Sequence, residues 1–104
     1  MEFKGTQGPW SVLDIDMHDH VFTTAKPHRR ICGVYGGIKG DEENQANARL
    51  IAAAPDLLAI LMEIVATDDA AISELKSIMG QHMESSDLTV KARAAIAKAL
   101  GESS

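Results

Sequence analysis

Between Asn44 and Val65 apolar residues return at three- and four-residue intervals, through Leu50, Ile51, Ala54, Leu57, Leu58, Leu61, Ile64 and Val65, and a proline stands inside the run at position 55. The interval is that of one helix face. Proline offers no N–H to the carbonyl four residues back and disfavours helical backbone at the residue before it. The pattern therefore predicts either a kink at Pro55 or a break with Pro55 opening a new helix, and both keep Leu57, Leu58 and Leu61 inward. Asp41 is the expected N-cap, with Glu42 and Glu43 in a first turn whose dipole suits carboxylates. Leu57, Leu58, Ile60, Leu61, Met62, Ile64 and Val65 together wrap more than one face of the helix. A small sheet hides only one face, so a homo-oligomer is expected.

Near Gly40 glycine-punctuated, β-branched sequence gives way to alanine-rich sequence of helical period. Upstream, Trp10 to Ile15, Val21 to Ala25 and Arg30 to Tyr35 read as three short strands, separated by the polar cluster Asp16 to His20 and by Lys26-Pro27-His28-Arg29. Gly8-Pro9 marks the entry to the first strand. Alternation places Ile31, Gly33 and Tyr35 on one sheet face and Cys32 and Val34 on the other. Downstream, a second helix is expected from Asp69 to about Met83, capped by Thr67 or Asp68, with Ile72, Leu75, Met79 and either His82 or Met83 inward and Gly80 weakening its end. A third follows the Ser85-Ser86-Asp87 cap cluster, buries Leu88, Ala92, Ile96 and Leu100, and stops at Gly101. The fold class is α+β: a three-stranded antiparallel meander over residues 1–40, a helical part over 41–101 and a frayed tail at 102–104, all in one domain.

Composition narrows the function classes. At 104 residues, with aromatics at 4% and an apolar content of 45%, the chain suits helices of small residues around a modest core. One cysteine, Cys32, excludes an internal disulfide and reads as a buried structural thiol. No basic segment leads into an apolar run and no window approaches eighteen uninterrupted apolar residues, so a soluble intracellular protein with no membrane partner is expected. Residues 1–40 hold five basic and four acidic side chains, whereas residues 41–104 hold five basic and eleven acidic ones. The helical part thus carries a net charge of −6, which repels nucleic-acid phosphates and argues against direct nucleic-acid binding.

No catalytic pattern is present. His18 and His20 stand two apart beside Asp14 and Asp16, as two metal ligands do, but the spacing supplies no third ligand and no metal is expected. The run Gly33 to Gly40 lacks both phosphate-loop patterns and feeds a helix that opens with three acids, so nucleotide hydrolysis is not expected. Cys32 has no His or Asp arrangement to make it a nucleophile, and no cofactor is implied. The compact basic cluster is Lys26-Pro27-His28-Arg29-Arg30. Its guanidinium groups suit a phosphate or carboxylate, which makes Lys26, His28, Arg29 and Arg30 the candidate ligand contacts, with Trp10 or Tyr35 to stack on a base.

Three segments together carry a resemblance: Gly5-Thr6-Gln7-Gly8-Pro9-Trp10, Ile31-Cys32-Gly33-Val34-Tyr35-Gly36, and Asn47-Ala48-Arg49-Leu50-Ile51-Ala52-Ala53-Ala54-Pro55-Asp56-Leu57-Leu58. They resemble a family of small proteins of tailed bacteriophages and prophages, over about residues 5–65. The resemblance implies no catalytic residue. It implies a setting, the cytoplasm of an infected bacterium, and an accessory role of the kind that interferes with host defence. Three mechanisms suit that setting: a non-enzymatic sponge that sequesters an anionic nucleotide signal, such as a cyclic nucleotide, at subunit interfaces; an acidic inhibitor or DNA mimic that blocks a host defence protein; or a structural or regulatory oligomer.

Overall fold

The computed structural model describes residues 2–15, 18–35, 41–80 and 86–102. Strands β1 (Trp10–Ile15), β2 (His18–Thr23) and β3 (Arg30–Val34) are followed by helices α1 (Asp41–Met79) and α2 (Asp87–Ala99). This is the α+β class that the pattern predicts. Residues 5–57 form one compact unit, and residues 58–104 with residues 1–4 form the other.

In the first unit the strands make an antiparallel sheet in the order β1-β2-β3. Of the polar stretch read as a turn, His18 to His20 are strand and residues 16 and 17 lie outside what is described: β2 starts at His18, three residues earlier than expected, and ends at Thr23. Pairing explains the shift, because Ile15↔His18 and Leu13↔His20 use the full length of β1, whereas a start at Val21 would leave its second half without a neighbour. Polar side chains lower strand propensity, but a row of ladder hydrogen bonds outweighs it. Between β2 and β3 the register slips from Val21↔Cys32 to Phe22↔Arg30, so Ile31 is the extra residue of a bulge. Ile31 accordingly packs with Cys32 against the core cluster instead of sharing the face of Gly33 and Tyr35.

That cluster is Val21, Val34 and Ala48, edged by Trp10, Val12, Ile31, Cys32, Ile51 and Ala52. Ala48 and Val21 are fully buried. A methyl at position 48 lets α1 lie close on the sheet, where a longer side chain would hold it off.

Pro55 neither breaks α1 nor opens a new helix; it lies inside a continuous 39-residue helix. One missing N–H leaves one carbonyl of the ladder unpaired, a cost that packing offsets here. A Cβ placed on Gly8 would stand 2.7 Å from Pro55 Cβ and 3.1 Å from its Cγ, so the proline ring occupies the space that glycine leaves empty. Replacing Gly8 by valine is expected to lower stability by about 1–3 kcal/mol through overpacking, read as a lower midpoint in chemical denaturation.

The helix expected to start at Asp69 is the continuation of α1. Thr67 does not cap it: its hydroxyl donates to the Glu63 carbonyl at 2.9 Å, the back-bond of a residue in mid-helix. The inward positions also differ from expectation. Ala48, Ile51, Ala52, Pro55, Leu58, Met62 and Val65 are buried or half-buried, whereas Leu50, Leu57 and Ile64, expected inside, are exposed together with Ile60. At 100° per residue these two sets lie on opposite sides of the helix. The most apolar 18-residue window of α1 reaches a mean hydropathy of 1.9, enough by length and composition to cross a membrane, and 11% of it is buried. The apolarity is therefore divided between a covered stripe and a bare one.

In the second unit Ser86 caps α2, accepting from the Thr89 N–H at 3.2 Å. Gly101, at φ 76°, closes the helix: the Glu102 N–H donates to the Ala97 carbonyl and the Gly101 N–H to that of Lys98. This paired closure needs a left-handed residue, as the sequence predicts for Gly101. A β-branched residue there is expected to cost about 1–2 kcal/mol. Ile96 is buried and Ala92 and Leu100 are half-buried, as expected; Ala97 is buried too, whereas Leu88, expected inside, is 77% exposed in the first turn. Arg93 on α2 pairs with Asp69 on α1, a half-exposed bridge worth ~1 kcal/mol or less. Of the inward residues expected between Asp69 and Met83, Ile72 is half-buried and Leu75 is exposed, and the Met79 side chain, His82 and Met83 lie outside what is described.

Candidate functional site: a groove beneath the basic turn

The loop from Thr24 to Arg29 hangs from one residue, Thr23, at the end of β2. Its N–H donates to the Arg29 carbonyl at 2.8 Å and its hydroxyl accepts from the Arg29 N–H at 2.9 Å. The same hydroxyl donates to the Ala25 carbonyl at 3.3 Å, and the Thr23 carbonyl meets His28 Nδ1 at 2.9 Å. Only 8% of Thr23 is exposed. A buried threonine that closes a loop in this way holds charged neighbours in place, because the backbone on both sides of them is tied. Thr23→Val removes both hydroxyl bonds and is expected to cost about 1–2 kcal/mol and to loosen the turn, measured by faster amide exchange at Arg29.

Beneath this turn lies an open cavity of about 530 Å³, lined by Gly5 to Pro9 on one wall and by Thr23, Ala25, Lys26, Pro27 and Arg29 on the other. The Thr24 N–H donates to the Pro9 carbonyl at 3.0 Å, which ties the two walls together. Two cations thus face a wall of small and polar residues, an arrangement suited to a phosphate or carboxylate. The other predicted contacts are spread out. His28 turns its Nδ1 to the Thr23 carbonyl and serves the turn. Arg30 is exposed on β3 opposite Phe22 and does not line the groove. Trp10 packs against the core cluster, its indole nitrogen buried without a hydrogen-bond partner among the described residues.

Tyr35 belongs to a second group. Its ring stands edge-on to His18 at 4.8 Å and to His20 at 5.9 Å, and it lies over Gly33, where a Cβ would come within 2.6 Å of the ring. His18 and His20 share a sheet face, as expected from their spacing. Among the described residues no group of three His, Cys, Asp or Glu side chains could hold a metal. His20 is buried and its Nδ1 has no partner among the described residues. Because the Tyr35 ring is the exposed end of a side chain, Gly33→Ala is expected to displace it at little cost in stability, seen as a change in tyrosine fluorescence. Tyr35 also lines a 380 Å³ hollow with Asn47, Leu50 and Ile51.

The Gly5–Pro9 wall of the groove was legible only as a motif; nothing in its composition places it opposite the basic turn. A family model for the Salmonella phage P22 protein Y8K6 matches residues 1–103. The chain belongs to that family. The match runs well beyond the segment of residues 5–65 that carries the resemblance, so the family includes both helices and the chain's C-terminal part. A phage protein acts in the infected host cell, which agrees with the setting that the resemblance implies. No curated protein and no solved structure is significantly similar to the chain.

Proposed function

We propose that this member of the phage family is a non-enzymatic accessory protein that works in the bacterial cytoplasm against host defence by sequestering an anionic nucleotide signal in the groove beneath the basic turn. The observation that carries this reading is the placement of Lys26 and Arg29 on one wall of a 530 Å³ cavity whose other wall is the Gly5–Pro9 segment. A cavity of that size lies within the range of small-molecule sites, ~300–1,000 Å³. All its lining residues belong to one chain, so the site does not require a subunit interface; assembly into a homo-oligomer would multiply sites per particle. With Trp10 in the core and Tyr35 beside the histidines, recognition falls on the phosphates and the sugar. The net charge of −5 slows the approach of an anion, and Lys26 and Arg29 at the groove offset this locally.

The test is calorimetric titration with cyclic di- and trinucleotides and cyclic ADP-ribose derivatives. A ligand from this panel is expected to bind, and Arg29→Ala or Lys26→Ala to weaken it roughly tenfold or more. A panel without a binder, or a binder indifferent to both substitutions, refutes the reading. The net charge of −6 over residues 41–104 favours a second reading, an acidic inhibitor of a host defence protein, which a stoichiometric partner in a host-lysate pulldown would support.

A further inference from the structure

Among the apolar residues of α1 that the chain's own packing leaves bare, one set recurs every seven positions. Leu50, Leu57, Ile64, Ala71 and Ile78 make one row, and exposed Ala46 and Ile60 make the row beside it with half-buried Ala53 between them. Leu50, Leu57, Ile60 and Ile64 are 64%, 50%, 50% and 57% exposed. A seven-residue repeat of this kind is the seam along which two helices pair. Pro55 does not interrupt it, since the proline ring lies on the opposite side of the helix against Gly8.

We infer that the bare stripe of α1 is the seam of a homodimer in which two copies of the helix lie antiparallel about a two-fold axis level with position 55. Leu50 then meets Ile60 of the second copy and Ala53 meets Leu57, so large residues face small ones around the axis. The flanking charges select a second copy and this direction. Arg49, Asp56 and Glu63 are all exposed and stand seven residues apart on one flank of the seam. Antiparallel pairing brings Arg49 to within two residues, about 3 Å along the axis, of Glu63 of the second copy, twice by symmetry, and leaves one unfavourable pair, Asp56 near its own mate. Parallel pairing separates Arg49 from Glu63 by about 21 Å along the axis, sets Glu63 beside Asp68 of the second copy, and places Glu74 against itself in the seam. The four exposed leucines and isoleucines present roughly 400 Å² per copy, about half the ~800 Å² of a standard interface, and Ala46, Ala53 and the flanking stems extend it. The hollow edged by Asn47, Leu50 and Tyr35 lies on the flank where this register puts Leu61 of the second copy. The inference does not depend on the groove holding a nucleotide.

Sedimentation velocity on the full chain tests it, with circular dichroism to confirm that each variant folds. The unsubstituted chain is expected to be a dimer. Arg49→Glu and Glu63→Arg should each weaken it roughly tenfold, because two pairs turn repulsive at once. The double variant should return to within about threefold of the original, and Asp56→Asn should tighten the dimer. The charge swap distinguishes direction, since parallel helices keep these residues too far apart to restore each other. A monomer, a trimer or larger assembly, a dimer that the swap does not restore, or a chain that associates only with lipid vesicles overturns the inference. None of these outcomes touches the groove, whose failure would appear only in the nucleotide titration.

Discussion

Lysine in place of Ile60 is expected to convert the proposed dimer to monomers, with at least a hundredfold weaker association, about 3 kcal/mol. In the proposed seam Ile60 sits near the axis, so each of the two copies would lose a buried side chain and gain an ammonium group that the seam cannot solvate. Because Ile60 is already half exposed within its own chain, the change removes nothing from the folded monomer. Helix content measured by circular dichroism is therefore expected to stay constant while the sedimenting mass halves. Ser73→Lys, an exposed substitution off the seam, is the control and should leave the mass unchanged. If Ile60→Lys lost helix content along with mass, the stripe would be serving the fold of the single chain instead of its association.

Aspartate in place of Val21 is expected to unfold the sheet outright. Val21 is fully buried at the centre of the only cluster that joins sheet to helix in residues 5–57 among the described residues. A carboxylate there has no partner of opposite charge, and its desolvation costs several kcal/mol. A unit of this size has about 3–8 kcal/mol of stability in total, so one such change suffices. The readout is the loss of a cooperative thermal transition together with the loss of amide protection in β2, at a helix content that falls only in part. Val21→Ala, which removes two methyl groups and adds no charge, should instead lower stability by about 2 kcal/mol and leave the fold intact.

What the sequence showed of this molecule, and what it hid, follows from the range of the interactions involved. β1 and β3 were legible because Pro9 and the glycines bound β-branched runs, and α2 because Ser86 and Gly101 act within a few residues of themselves. β2 was misplaced because His18, Asp19 and His20 are poor strand formers by themselves, and their ladder to β1 is a contact across the turn that propensity does not contain. For the same reason the sequence leaves open whether α1 runs on through Pro55 or breaks there: the compensation comes from Gly8, 47 positions away. The spacing of Leu50, Leu57 and Ile64 was read correctly as helical, but periodicity does not say which of two apolar stripes the chain will cover. In the candidate site, Lys26 and Arg29 were legible as charge on a turn. Their opposite wall, Gly5 to Pro9, was not, and Trp10 looked available for stacking because its burial is a tertiary fact.

The division of α1 into a covered side and a bare side limits how the chain can change in length. Each residue inserted between Leu50 and Ile64 turns everything beyond it by about 100°, so an indel of one or two would rotate the outer leucines off their row and drive polar groups toward Ala48 and Val65. Seven at a time keeps both sides in phase. Relatives that keep this arrangement should therefore vary in the connections at either end of the helix and step in whole heptads within it.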